Sequence, residues 1–422
     1  MKKKIKSSDR EKKELYEWKR RLSLILDYSS KIKADSSLKE TLSLIADAAK
    51  DVLESDRCTV FLLDEETDEL FSWVAHGMGS KKLRFPSDKG LAGHVATAKE
   101  TLNIKDAYSD DRFNPEIDKK TGYRTETILC MPMTDTNGRV IGVFQVLNKK
   151  EGTFNRQDEE VLSLLAREAA SAIENAMLYK EMKKSFESFI NTLAETIDAR
   201  DPMTAGHSKR VCGYSLLIAE KLGYSPEKMD ALKYAALLHD LGKIGVKEAV
   251  LTKPGKLDDS EYKHIQSHAV LTGRILERTY FQKAFRGIPL AASSHHENLD
   301  GSGYPRHIKG KDIPETSRIM AVADVFDALT YKRHYRQPMP FAKVINILKE
   351  DSGSKFDSAI LEVFLNLPLD SVLNVMLKDG SDEEIFKSLT VDEICRKLEN
   401  GADDEAVKAF RRCYPPQSDS EE

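Results

Sequence analysis

From residue 157 to residue 199 the chain has no proline or glycine, and apolar side chains recur every three or four positions. Leu162, Leu165, Ala169, Ala172, Ala176, Tyr179, Met182, Phe186, Ile190, Leu193 and Ile197 make one stripe. That spacing predicts a single long helix with a near-heptad seam. A stripe of this length between two domains needs a partner. A parallel homodimer supplies one, and packing on the chain's own domains is the alternative. Ahead of it the pattern is mixed. Leu15, Trp18, Leu22 and Ile25 form a short helical stripe behind a basic start. A helix is expected over 38–53, then strands over 58–63, 70–75, 101–104, 129–133 and 140–147, with turn signals such as Asp135-Thr136-Asn137-Gly138 between them. Beyond residue 200 the apolar period is helical throughout. After residue 366 two or three short helices are expected, one opened by a capping box of Ser381 and Glu384. The last eight residues are acidic and unpatterned. The domains read as 1–35 (N-terminal helix), 36–156 (α/β), 157–199 (connector helix, a coiled coil), 200–365 (all-α) and 366–422 (a helical extension with an acidic tail).

Composition narrows the function. A net charge of −4 and a pI near 6.3 give no support for a protein that coats nucleic acid. No apolar run reaches the length of a bilayer, so a cytoplasmic protein is expected. The five cysteines are scattered and suggest neither a zinc ribbon nor a disulfide framework. Eight of the ten histidines follow residue 200, which places histidine chemistry in the C-terminal half.

Two stretches there stand out. Leu237-Leu238-His239-Asp240-Leu241-Gly242-Lys243-Ile244-Gly245 puts a His-Asp pair at the end of an apolar helix. His295-His296-Glu297-Asn298-Leu299-Asp300-Gly301-Ser302-Gly303-Tyr304-Pro305 puts two histidines before a glycine-rich loop. Neutral imidazole and carboxylate are the usual ligands of divalent transition metals. His264, His307 and His334 read as structural.

With Asp201-Pro202-Met203-Thr204-Ala205-Gly206-His207-Ser208, Lys253-Pro254-Gly255-Lys256-Leu257, His268, Arg318-Ile319-Met320-Ala321-Val322-Ala323-Asp324 and Arg333-His334-Tyr335-Arg336, these stretches follow one another in the order of a known family. From about Asp198 to about Phe364 the chain resembles the HD-GYP phosphodiesterases, the HD hydrolases that cleave cyclic di-GMP. The resemblance implies a metal-dependent enzyme giving pGpG, with further hydrolysis to GMP left open. It implies one metal on His207, His239, Asp240 and Asp324, and a second on His268, His295 and His296 with Asp240 shared. It implies that Asp240 and Lys243 act in catalysis, and that Lys243, Arg333 and Arg336 contact substrate. Asp300, Gly301, Gly303, Tyr304 and Pro305 would shape the loop, which could also dock a protein partner. Met203 stands where some members place a third-metal Glu, so two ions are expected. Thr272 replaces a usual Gly, and His334 a usual Pro. The His-rich, carboxylate-bridged set suits iron or manganese. A non-catalytic cyclic-dinucleotide-binding module and a phosphodiesterase for a hybrid cyclic dinucleotide are the alternatives.

In the N-terminal half, Gly90-Leu91-Ala92-Gly93-His94-Val95-Ala96, Thr121-Gly122-Tyr123-Arg124-Thr125 and Ile128-Leu129-Cys130-Met131-Pro132 precede a signature of Asn148, Lys149, Phe154, Asp158 and Glu159. This is similar to the GAF sensor domains that bind cyclic nucleotides, an antiparallel sheet with flanking helices. The resemblance implies cyclic GMP or cyclic AMP in a pocket of Thr59, Leu91, Ala92, Asp118, Thr121 and Thr125, controlling the catalytic half through the connector. Gln145 and Asn114 depart from residues such pockets can carry, and a ligand-free dimerisation module is the alternative. A Lys149–Asp158 ion pair is expected to pin the last strand to the following helix.

Overall fold

The computed structural model describes residues 2–31, 37–77, 83–200, 206–253, 255–331, 338–377 and 384–415, with no side-chain description for residues 2–14, 120 and 121. Met203, Arg333, His334, Arg336 and the capping serine Ser381 lie outside the described residues. The chain divides into two compact units, Met1–Lys183 and Lys184–Glu422.

The first unit is a six-stranded antiparallel sheet between two helical layers. Its strands are β1 (Ser55–Asp64), β2 (Glu69–Ala75), β3 (Arg84–Pro86), β4 (Leu102–Ile104), β5 (Ile128–Thr134) and β6 (Val140–Lys149), in the order β3-β2-β1-β6-β5-β4. Alternation along β1 sets the two faces. Cys58, Val60 and Leu62 join the core beneath α2 (Leu38–Val52) and the first half of α5 (Arg156–Arg200), while Phe61 points to the opposite core. That opposite face is covered by α3 (Gly90–Ala98) and α4 (Glu116–Thr121). Helix α1 (Lys2–Lys31) leans on the first core through Leu24, Ile25 and Tyr28. Its Leu15, Trp18, Leu22 and Leu26 stay exposed.

The expected ion pair is present and is larger than a pair. Lys149 Nζ lies 2.9 Å and Arg21 Nη2 3.0 Å from the same Asp158 oxygen. Asp158 is fully buried, so α1, β6 and α5 meet on one shielded carboxylate.

The long stripe on α5 does not stay one seam. Leu162, Leu165 and Ala169 are buried in the sheet core, and Ile190, Ala194 and Ile197 in the core of the second unit. Between and beside these ends Leu164, Met177, Leu178, Tyr179, Met182 and Phe189 remain exposed. A helix that enters a core at each end shares its apolar positions with those cores, and only the middle is left over.

The second unit is helical. It contains α6 (His207–Lys221), α7 (Pro226–Leu238), α8 (Glu248–Leu251), α9 (Asp259–Leu276), α10 (Ile288–Ser293), α11 (Glu315–Thr330), α12 (Phe341–Glu350), α13 (Ser358–Leu365), α14 (Leu369–Met376), α15 (Val391–Glu399) and α16 (Glu405–Cys413). Ser225 caps α7 ahead of a proline, and Asp258 with Glu261 forms a capping box on α9. Leu373, Ile394, Val407 and Phe410 place the last three helices in the same core as α6, α7 and α11. Among the described residues no helix is long and apolar enough to cross a membrane.

Candidate metal centre

Helix α7 ends on Leu238, and the chain turns through His239 and Asp240 into a tight 3-10 turn, Leu241–Gly245. The turn presses on α9 so closely that a Cβ on Gly242 would lie 2.0 Å from the His268 carbonyl oxygen. Only glycine allows that approach. Thr272, where the family resemblance expects Gly, is fully buried. Its hydroxyl accepts from Gly242 N at 2.8 Å and donates to His239 O at 3.0 Å. The turn and α9 are therefore bonded together at the point where each contributes a histidine.

Three histidines are oriented in the same way. Nδ1 of His239, His268 and His295 lies 2.7, 2.7 and 2.6 Å from the carbonyl oxygen three residues earlier, at Ala236, Ile265 and Ala292. A carbonyl can only accept, so each Nδ1 carries the proton and each Nε2 offers a lone pair to the interior. Nε2 of His239 has no hydrogen-bond partner although it is buried. An orphaned buried acceptor beside a carboxylate is a position a cation would satisfy.

Asp240 stands at the centre. Its Oδ2 is 2.7 Å from Lys243 Nζ, 3.4 Å from His239 Nε2 and 3.7 Å from His207 Nε2, and its Oδ1 is 3.3 Å from His268 Nε2. Asp324 Oδ1 is 3.1 Å from His207 Nε2, and its Oδ2 is 3.8 Å from His296 Nδ1. Three groups of side chains have ligand atoms within 4.8 Å of one another: His207, His239 and Asp324; His268, His295 and His296; and His239, Asp240 and His295. All seven side chains named from the sequence thus converge.

Burial opposes the charged form of Asp240, yet Lys243 and the surrounding histidines hold its carboxyl well below the usual range. Burial and neighbouring imidazoles keep His295 neutral, and His296 is pushed down to about 3 by burial. His207 behaves oppositely. Burial disfavours its charge, but hydrogen bonds to Asp324 and Asp327 outweigh that and raise it to about 10.

Asp327 and its partner escaped the sequence reading. Asp327 Oδ2 lies 2.8 Å from His207 Nδ1, and Arg210 grips both carboxylate oxygens, Nε to Oδ1 at 2.7 Å and Nη2 to Oδ2 at 2.9 Å. The usable signal was two i, i+3 pairs, His207 with Arg210 and Asp324 with Asp327, that face each other across α6 and α11. Asp198 is a second omission. Its buried carboxylate accepts from Ser208 Oγ at 2.8 Å, next to His207.

The loop after His296 is shaped by contact. A Cβ on Gly303 would fall 2.4 Å from His296 O, and Gly301 sits at φ 83°. Asp300 is exposed and its carboxylate accepts from Ser302 N at 2.8 Å, a local turn. The Tyr304 ring lies 4.7 Å from that of His296, and Tyr304-Pro305 is cis. Buried Glu297 accepts from Arg306 N at 2.6 Å.

The first unit encloses a separate cavity of about 890 Å³ beneath α3 and α4. Thr59, Leu91, Ala92, Asp118 and Thr125 line it, and the Thr121 side chain lies outside the described residues. Asp118 is engaged internally. It accepts from Thr125 N at 2.6 Å, Thr125 Oγ1 at 2.8 Å and Tyr108 OH at 3.0 Å, which fastens α4 to the start of β5. Arg57 stacks on Tyr123 at 3.7 Å on the same wall, and both line the cavity.

Residues 191–360 match the HD domain family and residues 37–173 the GAF domain family. The chain is a GAF domain followed by an HD domain. It is 44% identical over 184 residues to 3'3'-cGAMP-specific phosphodiesterase 3 of Vibrio cholerae, which is 43% of this chain and 39% of that protein. It is 36% identical over 192 residues to the cyclic di-GMP phosphodiesterase of Thermotoga maritima, 44% of this chain and 52% of that protein. It is 36% identical over 184 residues to a probable 3',5'-cyclic phosphodiesterase of Caenorhabditis elegans, 40% of this chain and 25% of that protein. The chain therefore spans about half or less of the length of these relatives.

Proposed function

We propose that the protein is a metal-dependent phosphodiesterase for a cyclic dinucleotide, controlled by a small molecule in its GAF cavity. The observation that carries this reading is the convergence of His207, His239, Asp240, His268, His295, His296 and Asp324 in one buried cluster, three of whose imidazoles are locked with Nε2 inward. The cluster fits two cations: His207, His239 and Asp324 on one side, His268, His295 and His296 on the other, and Asp240 between. Iron or manganese suits so many nitrogens. Bound there, such a pair supplies a nucleophile from water at neutral pH and neutralises charge on a phosphoryl group.

The chain's own groups do the rest. Asp240, ionised at neutral pH, bridges the two halves. Lys243, 2.7 Å from Asp240, adds a point charge beside the cluster for a non-bridging phosphate oxygen. Asp327 accepts from His207 Nδ1, so that a cation which displaces the Nε2 proton meets a ring already oriented toward it. Arg333 and Arg336 contribute further phosphate contacts, and the loop from Asp300 to Pro305 walls the site and offers a surface to a partner.

Cyclic di-GMP and 3'3'-cGAMP are both candidate substrates, because a relative 36% identical is named for the first and one 44% identical for the second. Cyclic di-GMP is the primary assignment, with pGpG as the product and further hydrolysis to GMP left open. The GAF cavity, about 890 Å³, is roomy enough to admit a cyclic mononucleotide, cyclic GMP or cyclic AMP. The exposed residues in the middle of α5, with those on α1, support a parallel homodimer. A cytoplasmic location fits such substrates. Rates on the two cyclic dinucleotides, measured by anion exchange after anaerobic loading with Fe²⁺ or Mn²⁺, test the assignment. Tight binding of either without product would instead make this a signalling module.

A further inference from the structure

Helix α5 ends in the second unit, and its last turns are tied to the metal centre on one side only. Glu187, Ile190, Ala194 and Asp198 recur at three and four residues and so share a face. Ile190 and Ala194 on that face are buried in the helical core. Glu187 meets Lys233 of α7 at 3.2 Å, and Glu195 meets Lys209 of α6 at 2.6 Å. Both pairs face solvent in part, so each contributes little. Two contacts at the end of the helix matter more.

The first is at Asp198. Helix α6 begins at His207, and its cap residue Gly206 makes no side-chain hydrogen bond. Support comes from the next residue instead: the buried Ser208 hydroxyl donates to the buried Asp198 carboxylate at 2.8 Å. His207 is thus held through its ring by Asp327 and through its backbone neighbour by Asp198. The second contact is at Arg200, whose Nη2 donates to Val246 O at 3.0 Å. Buried Val246 closes the 3-10 turn that follows Asp240, and its own N donates to Lys243 O at 3.0 Å. Among the described residues, no polar contact runs from residues 184–200 to α9, α10 or the loop after His296.

We propose that Asp198 and Arg200 are positioning residues through which the pose of α5 sets the affinity of one ion, the one assigned to His207, His239 and Asp324. The proposal rests on the two-ion reading of the cluster. Asp198 fixes where His207 leaves the start of α6, and Arg200 fixes where the turn after Asp240 ends. The other ion's ligands come from α9 and from the residues that follow α10.

The test is a Co²⁺ titration of metal-stripped full-length protein, read by visible absorption, with thermal melting of the metal-free proteins alongside. Wild type is expected to take two ions. Asp198→Ala and Arg200→Ala should each bind one ion about tenfold more weakly and the other unchanged, the low end for loss of an outer support of a metal ligand. Asp198→Asn keeps an acceptor for Ser208 and should restore most of the affinity. In a His296→Ala background the remaining ion should still be weakened by Asp198→Ala, and in a His207→Ala background it should not. The Arg200 side chain is exposed, so Arg200→Ala decides the matter if Asp198→Ala does not fold. Equal weakening of both ions, or native affinity for both with or without a lower melting temperature, overturns the proposal. A wild type that binds one Co²⁺ or none rejects the two-ion reading instead.

Discussion

Replacing Asp327 by Asn removes one negative charge and almost no volume, at a carboxylate that serves two masters. In the native protein it accepts three hydrogen bonds, from His207 Nδ1 at 2.8 Å and from Arg210 Nε and Nη2 at 2.7 and 2.9 Å. An amide keeps one oxygen, and its NH₂ must then face one of these donors. Two losses follow. Arg210 becomes a poorly compensated charge, with an upper bound of about 3–5 kcal/mol for breaking a buried pair. Its stacking on Tyr331 at 3.5 Å softens that. His207 also loses the acceptor that fixes its tautomer, and loss of such a partner weakens metal binding about 10–100-fold. The assay is metal content per chain after dialysis against chelators of graded strength, read beside thermal melting of metal-free protein. Weaker retention together with a lower melting temperature is expected. A lower melting temperature with native metal affinity would refute the argument, because Asp327 would then only hold α6 to α11.

Other perturbations probe other joints. Gly242→Ala would put a Cβ 2.0 Å from His268 O and 2.6 Å from Thr272 N, so α9 must retreat by about an ångström. A displacement of that size costs on the order of a hundredfold in turnover, and wild-type rates in steady-state kinetics would contradict the close-contact account. Asp158→Asn leaves Lys149 and Arg21 without their shared counter-charge and should destabilise the protein by about 3–5 kcal/mol, visible in calorimetry of the full chain. Tyr179→Glu with Met182→Glu should convert a dimer to a monomer in sedimentation equilibrium. Wild-type protein that sediments as a monomer would remove the dimer from the account.

The parts of this molecule that were legible in its sequence are the parts where neighbours along the chain do the same job. His239 beside Asp240, and His295 beside His296, announce themselves because adjacent ligands share one turn and the glycines nearby permit close approach. Asp327 and Arg210 were silent because their meeting depends on how α6 crosses α11, which no local period reports. β3 was missed for a simpler reason. Three residues at a sheet edge are too few to show alternation, and their pairing with β2 is decided by the fold. The α5 stripe shows the reverse case. Its period was correct and its helix is present, but a periodic face says only that something covers it. The sheet core covers one end and the second unit's core the other, leaving Met177, Leu178, Tyr179 and Met182 exposed. The basic residues Arg333 and Arg336 are read from resemblance alone and lie outside the described residues.

The most direct test of the central claim is turnover of cyclic di-GMP by protein loaded anaerobically with Fe²⁺ or Mn²⁺, compared with its Asp240→Asn variant and with chelator-treated protein. The account predicts a linear dinucleotide product from the loaded wild type and none from the other two. Product formation that survives Asp240→Asn, or a loaded wild type that releases none, would contradict it.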